Sequence, residues 1–344
     1  MARHPTFPLM RRSLHATILI AAGIFWLVDT NQAAAKETAA GSANEVLSTV
    51  VRLSAAVPPD ARTAPTLGTT RHGNGVVIDS DGLVLTIGYL ILEAMSVIVE
   101  GPDRKPILAN VVAYDHETGF GLVRAVKPLN AKPLRLGNSA ELDEGEPVLV
   151  VSSGGVAGTR PARTVSRREF TGYWEYLLES AIFTSPPHPD WSGAALVGRD
   201  GKLLGIGSLL VPDATSDEPS EPGNMFVPID LLKPILGDLL VDGRARRQAK
   251  PWLGMISVEN LGRIAIARVA PDGPAYKAGV QPGDIVVRVA GKDVATLSEL
   301  YRSVWNMGAA GAYVPLTVMR EGSLHDITVK SGNRYEYLRL DQTY

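Results

Sequence analysis

The chain reads as all-β, built of antiparallel barrels with a further small domain behind them. Three observations predict this. Short apolar runs separated by turn residues recur through the first two thirds of the sequence, with few helical periods between them. One pair of runs is a strong hairpin: Gly75-Val76-Val77-Ile78-Asp79 enters the turn Ser80-Asp81-Gly82, and Leu83-Val84-Leu85-Thr86 leaves it. Finally, residues 241–250 carry charge and a glycine and end against Pro251, the composition of a domain boundary. With 344 residues and 45% apolar content, there is material for two or three modest cores.

Composition removes several function classes. A formal charge of -2 with only 20% charged residues offers no basic face for nucleic acid. The absence of cysteine excludes disulfides, thiolate catalysis and cysteine-type zinc sites. None of the six histidines is paired at i,i+4, so no metal signature is present and no cofactor is expected.

In order along the chain, Arg3, Arg11 and Arg12 precede an apolar run over 16–28, which meets Asp29 and then Ala33-Ala34-Ala35. The run is short for a bilayer span, which needs about 20 apolar residues. It reads as a signal peptide over 1–35, cleaved on export, with an uncleaved membrane anchor as the alternative. Cleavage leaves 31 basic and 35 acidic residues, a mildly acidic mature chain. Residues 36–43 read as a flexible tether, 46–57 as a first strand and 58–71 as a loop. Strand-like runs follow at 97–99, 107–113, 121–125, 148–152 and 181–184. Residues 160–168 carry Arg160, Arg163, Arg167 and Arg168, and residues 211–224 carry Asp213, Asp217, Glu218 and Glu221. These read as a basic rim and a mobile acidic loop, either plain solvated surface or attracted to each other across a cleft mouth.

The stretch with the most chemical content is Asp190-Trp191-Ser192-Gly193-Ala194-Ala195-Leu196, followed by an Asp-Gly turn at Asp200-Gly201 and a second apolar run. A serine in a tight small-residue turn between strands is how a β-barrel hydrolase presents a nucleophile. The motif resembles the Gly-Asn-Ser-Gly-Gly-Pro-Leu loop of the HtrA/Deg (DegP-like) trypsin-like serine proteases. Gly73-Asn74-Gly75-Val76-Val77-Ile78-Asp79 is similar to that family's first hairpin, and Thr86-Ile87-Gly88-Tyr89-Leu90-Ile91 to the segment carrying its catalytic histidine. Asp115-His116-Glu117-Thr118-Gly119-Phe120-Gly121-Leu122 is similar to the segment carrying its catalytic aspartate. Leu136-Gly137-Asn138-Ser139 resembles the inter-barrel connection, and Asn224-Met225-Phe226-Val227-Pro228 a late strand of the second barrel. The resemblance implies a chymotrypsin/trypsin-like double β-barrel over 44–240.

It also implies where the triad is broken. Ser192 holds the nucleophile position, but Tyr89 stands at the histidine position and Gly119 at the aspartate position. A phenol with an ordinary pKa near 10 is a poor base at neutral pH, and glycine has no side chain to orient one. Asp190 replaces the glycine whose backbone helps build the oxyanion hole, and places negative charge where negative charge must develop. His188, His116 and His72 read as exposed loop histidines rather than relocated bases, and Trp191 as a plug over the emptied cleft or as an exposed contact residue.

After an apolar, helix-like run over 231–240 and the linker 241–250, residues 251–331 resemble a bacterial PDZ domain. The likeness rests on Gly273-Pro274-Ala275-Tyr276-Lys277-Ala278-Gly279-Val280-Gln281-Pro282-Gly283-Asp284-Ile285-Val286 and on Trp252-Leu253-Gly254-Met255. By that resemblance Leu253, Gly254 and Met255 form a loop that captures a peptide's terminal carboxylate, although Trp252 and Met255 read equally well as core. Leu297, Leu300, Tyr301 and Val304 share one face of a groove helix, the first three as peptide-binding residues. Residues 332–344 read as a tail.

The expected function is an exported, periplasmic pseudoprotease. Its partners would be protein or peptide C-termini and unfolded polypeptides, and it would act as an adaptor, holdase or regulator in envelope protein quality control. The alternative is an active serine endopeptidase with a non-standard site. No nucleic acid is expected, and membrane contact only through an uncleaved N-terminus. Residues 36–88 hold no Phe, Tyr or Trp, whereas the family trimerises through aromatic residues near the mature N-terminus, so a monomer or weak oligomer is expected.

Overall fold

A computed structural model describes residues 44–215 and 219–340. The expected export signal and tether, Asp217 and Glu218 of the acidic loop and the last four residues of the tail lie outside the described residues. Strands β1 (Val50–Ala56), β2 (Thr70–Val77), β3 (Leu83–Ile87), β4 (Ser96–Glu100), β5 (Pro106–Tyr114) and β6 (Phe120–Ala125) close a barrel in the order β1-β2-β3-β6-β5-β4. Its first hairpin is fixed by the Asp79 carboxylate, which accepts from the amides of Asp81 (2.9 Å) and Leu83 (2.8 Å). Inward residues Leu53, Val76, Leu85 and Leu122 are fully buried, as the alternation of a small barrel requires. β1 begins at Val50 rather than at residue 46, because the side chain and amide of Thr49 turn back onto the Val46 carbonyl (2.7 and 3.1 Å).

The second barrel closes in the order β10-β11-β12-β9-β8-β7. It contains β7 (Pro147–Val151), β8 (Thr159–Gly172), β9 (Tyr176–Ser185), β10 (Ala195–Val197), β11 (Leu203–Val211) and β12 (Gly223–Pro228). The inter-barrel connection is seated on it by Gly137, whose amide donates to the Leu203 carbonyl (2.8 Å), and by Ser139, whose hydroxyl donates to Asp230 (2.7 Å). The basic stretch lies within β8, and its arginines meet the acidic loop: Arg163 with Glu221 (3.3 Å) and Arg168 with Asp213 (3.6 Å).

The third unit is a sheet ordered β13-β14-β15-β17-β18, with β13 (Met255–Asn260), β14 (Arg263–Val269), β15 (Ile285–Val289), β17 (Tyr313–Arg320) and β18 (Ser323–Lys330), and with the short β16 (Lys292–Asp293) paired to β15. Helix Leu297–Trp305 covers it. The helix starts at a full capping box between Thr296 and Glu299 and buries Leu297, Leu300, Tyr301 and Val304 on one face. β13 is an edge strand, so one row of its backbone groups has no partner within its own sheet.

The linker is pinned to the first barrel. Asp115, fully buried after β5, receives Arg247 on both carboxylate oxygens (2.5 and 2.6 Å) and Thr118 through its amide (2.9 Å) and hydroxyl (2.7 Å). Glu117 pairs with Arg247 (2.9 Å) and Lys250 (2.7 Å). The tail returns to the first barrel at two points: the Tyr335 hydroxyl donates to Asp115 (3.3 Å), and the Arg339 amide donates to buried Glu93 (2.9 Å).

Candidate functional site

Ser192 lies in the turn between β9 and β10, and its backbone is fastened to the first barrel. Its carbonyl accepts from the Asn74 amide (2.8 Å) and from the Asn74 side-chain nitrogen (3.0 Å), which also donates to the Asp190 carbonyl (3.0 Å). Gly193 has φ +73°, and a Cβ there would come within 2.0 Å of the Asn74 carbonyl oxygen, so only glycine allows this approach. Tyr89 is carried by a 3-10 turn after β3, held from behind by buried Arg71, which donates to the carbonyls of Tyr89 and Leu92 (both 2.8 Å).

The two side chains meet. The Tyr89 hydroxyl oxygen is 2.8 Å from the Ser192 hydroxyl and 2.8 Å from the Ser208 carbonyl, which a bulge in β11 releases from the ladder. A carbonyl only accepts and a phenol has a single proton. Both contacts are therefore satisfied when Tyr89 donates to Ser208 and the Ser192 hydroxyl donates to Tyr89. Burial pushes the Tyr89 hydroxyl up to about 12, against hydrogen bonding with Ser192 and Trp191. A neutral phenol in that state accepts a hydrogen bond but takes no proton from serine at neutral pH.

Gly119, expected at the position of an orienting carboxylate, holds φ +84°. A Cβ added there would meet the Tyr176 hydroxyl at 3.1 Å, and that hydroxyl donates to the Thr118 carbonyl (2.7 Å). The space beside Gly119 is thus filled by a tyrosine of β9. The amide of Asp190, expected at the oxyanion-hole position, donates to His188 Nδ1 (3.0 Å). His188 Nε2 lies 3.2 Å from the Gly158 carbonyl, so the ring is the Nε2-protonated tautomer with both nitrogens committed.

Two expectations about histidines are corrected here. His188 is buried rather than exposed, because its ring and amide organise the turn: the amide donates to Asn224 Oδ1 (2.6 Å). His116 is partly buried edge-on against Tyr335 (4.9 Å between ring centres) because the tail folds over it; burial and the nearby Arg334 lower its pKa to about 3. His72 is exposed, as expected, and touches Ser54 (3.1 Å). None of the three reaches Ser192 by a hydrogen bond.

The groove candidates come together, and something already lies among them. Leu253, Gly254 and Met255 all aim their amides at one carboxylate, that of Glu175: 2.9 Å from Leu253, 2.6 Å from Gly254 and 2.9 Å from Met255. Gly254 holds φ +78°, which turns its amide into this nest. Burial raises the Glu175 pKa, while the three amides and Arg334 pull it down. Leu297, Leu300 and Tyr301 are buried under the same segment, with the Tyr301 hydroxyl donating to the Gly172 carbonyl (2.8 Å). Sequence reasoning missed Glu175. The available signal was Tyr173-Trp174 at a hairpin turn, two large rings at a tip in a chain with only 6% aromatic residues.

Comparison with known proteins agrees with this layout. The model of the trypsin-like peptidase domain matches residues 73–206, and that of the PDZ domain matches residues 248–331. The chain is 27% identical over 281 residues to the "Probable periplasmic serine endoprotease DegP-like" of Pseudomonas putida (strain W619), an alignment covering 76% of this chain and 55% of that protein. It is also 27% identical over 275 residues to the "Probable periplasmic serine protease do/HhoA-like" of Haemophilus influenzae (strain ATCC 51907 / DSM 11121 / KW20 / Rd), covering 75% of this chain and 57% of that one. The chain thus spans about half the length of the curated relatives it matches. Among solved structures, "HtrA-type protease AlgW with tripeptide" superposes with a TM-score of 0.51 at 20% identity, over 86% of this chain and 97% of that one. Two barrels with the serine turn between β9 and β10, followed by a peptide-groove sheet in the matching order, place the chain in the HtrA/DegP family of trypsin-like peptidases with a PDZ domain.

Proposed function

We propose that this chain is a periplasmic HtrA-family pseudoprotease that has kept peptide binding and lost peptide cleavage. The observation that carries the reading is the partner of Ser192: a neutral, partly buried phenol fixed to a backbone carbonyl, in place of an imidazole. Proton removal from serine has no acceptor there, the orienting carboxylate is missing, and one oxyanion amide is committed to His188. The groove, in contrast, retains every donor that carboxylate capture needs, in Leu253, Gly254 and Met255. Binding of protein or peptide C-termini, including those of unfolded polypeptides, then makes the chain an adaptor, holdase or regulator in envelope protein quality control.

The test is labelling of the full chain with a serine-reactive fluorophosphonate probe, alongside casein hydrolysis. No labelling and no cleavage are expected. Labelling or cleavage that disappears in Ser192→Ala would restore the competing view, a serine endopeptidase with a non-standard site.

A further inference from the structure

The tip of the second barrel's β8–β9 hairpin occupies the groove as a peptide would. Four consecutive residues are held. The Gly172 carbonyl accepts from the Tyr301 hydroxyl (2.8 Å), and the Tyr173 carbonyl accepts from the Ser257 amide on the open edge of β13 (3.0 Å). The Trp174 carbonyl accepts from Arg334 (3.0 Å), and the Glu175 carboxylate takes the three amides of the 253–255 turn. A backbone bond to the edge strand, with a carboxylate two residues further on in an amide nest, is how an extended peptide C-terminus is read by strand addition. Glu175 reaches this geometry with φ +57°, a left-handed conformation that a non-glycine residue holds only when its surroundings fix it. The stem is clamped as well: Arg302 on the groove helix pairs with Glu169 of β8 and Glu179 of β9 (2.6 Å to Glu179).

We propose that the β8–β9 hairpin is an internal ligand of the groove, with Glu175 standing in for a C-terminal carboxylate, so that an incoming peptide with a free C-terminus must displace it. The proposal rests on the peptide-capture reading above and adds its gate. One nest of three amides cannot hold two carboxylates, so occupancy by hairpin and by peptide exclude each other. A tethered ligand competes at an effective concentration on the order of millimolar, which suppresses weak peptides and passes strong ones. Release frees more than Glu175. Trp174 stacks on Tyr176 (5.4 Å, 20° between planes), and Tyr176 is the residue that fills the space beside Gly119.

The experiment titrates the full chain with a fluorescein-labelled hexapeptide, Phe-Thr-Gly-Tyr-Trp-Val, with a free or an amidated C-terminus. Hydrogen exchange at the 253–255 amides is followed in the same samples without peptide. Glu175→Ala is expected to bind the free peptide at least about tenfold more tightly than wild type, to gain nothing for the amidated peptide, and to exchange those amides faster. Glu175→Gln, which keeps the side-chain volume and one acceptor oxygen, should fall between the two and guards against a folding defect in the alanine variant. Equal affinity and equal exchange in wild type and Glu175→Ala would overturn the proposal. Faster exchange without binding of either peptide by any variant would instead overturn the peptide-capture reading, and the competition with it.

Discussion

The serine cleft and the peptide groove are both closed from within, but by different means. In the cleft, on the reading proposed above, the chemistry is lost: Tyr89 is a phenol that keeps its proton, and Gly119 has no side chain. In the groove the chemistry is intact and in use, since three amides find a carboxylate supplied by the same chain. A site closed by deletion reopens only by mutation, whereas a site closed by occupancy reopens whenever a stronger occupant arrives.

The largest effect that would break this contrast is expected at Gly254. Its φ of +78° disfavours a β-branched residue, and a Cβ there would press the Trp252 ring at 3.1 Å and Ala270 at 3.2 Å. In a Glu175→Ala background, Gly254→Val should reduce free-carboxylate peptide affinity by more than about a hundredfold, since two or more charge-assisted bonds of about 1.5–3 kcal/mol each are lost. Unchanged affinity in a fluorescence titration would remove the nest from the binding site.

Restoring the deleted chemistry should fail. Gly119→Asp asks a branched side chain to adopt φ +84° with the Tyr176 hydroxyl 3.1 Å from its Cβ, a strain of about 1–3 kcal/mol that a thermal melt would register. Combined with Tyr89→His, the pair is expected to cleave no casein, because the Asp190 amide remains bonded to His188. Cleavage would mean that the cleft differs from the groove only by two side chains.

Acid should weaken the shared anchor of both regions. His116 is neutral in the native state because burial, then Arg334, lowers its pKa to about 3, while an unfolded histidine titrates near 6.5. The unfolded chain therefore binds the proton first. This contribution to stability is intact above about pH 6.5 and is lost as pH falls from there towards 3. At pH 5 the loss approaches about 2 kcal/mol. His116→Phe should flatten the fall of Tm between pH 7 and pH 5, and an unaltered slope would show that other groups dominate.

The smallest effect belongs to Ser192→Ala. Losing one hydrogen bond to Tyr89 should cost about 0.5–1.5 kcal/mol and change neither peptide affinity nor casein turnover. A change in either would tie the serine to function.

The strands, the turn at Asp79 and the groove helix were readable in the sequence, because period and turn chemistry are local properties. Ser192, Tyr89 and Gly119 stood out there as residues, yet their contacts did not. The Ser208 carbonyl reaches Tyr89 across 119 residues of chain through a bulge, and the burial of His188 depends on Gly158 and Asn224. Glu175 was the least legible: 78 residues separate it from Leu253, and an isolated glutamate in a turn looks like ordinary solvated surface.

Asp115 has a mechanical consequence. The linker that enters the PDZ domain passes it at Arg247, and the tail that leaves passes it again at Tyr335. A domain on one linker swings through a wide cone. This one is held where both of its connections meet, and Arg62 of the first barrel adds a second hold on Asp272 (3.3 Å). Losing the hairpin therefore leaves the domain little room to drift, and reclosure needs a short return rather than a search.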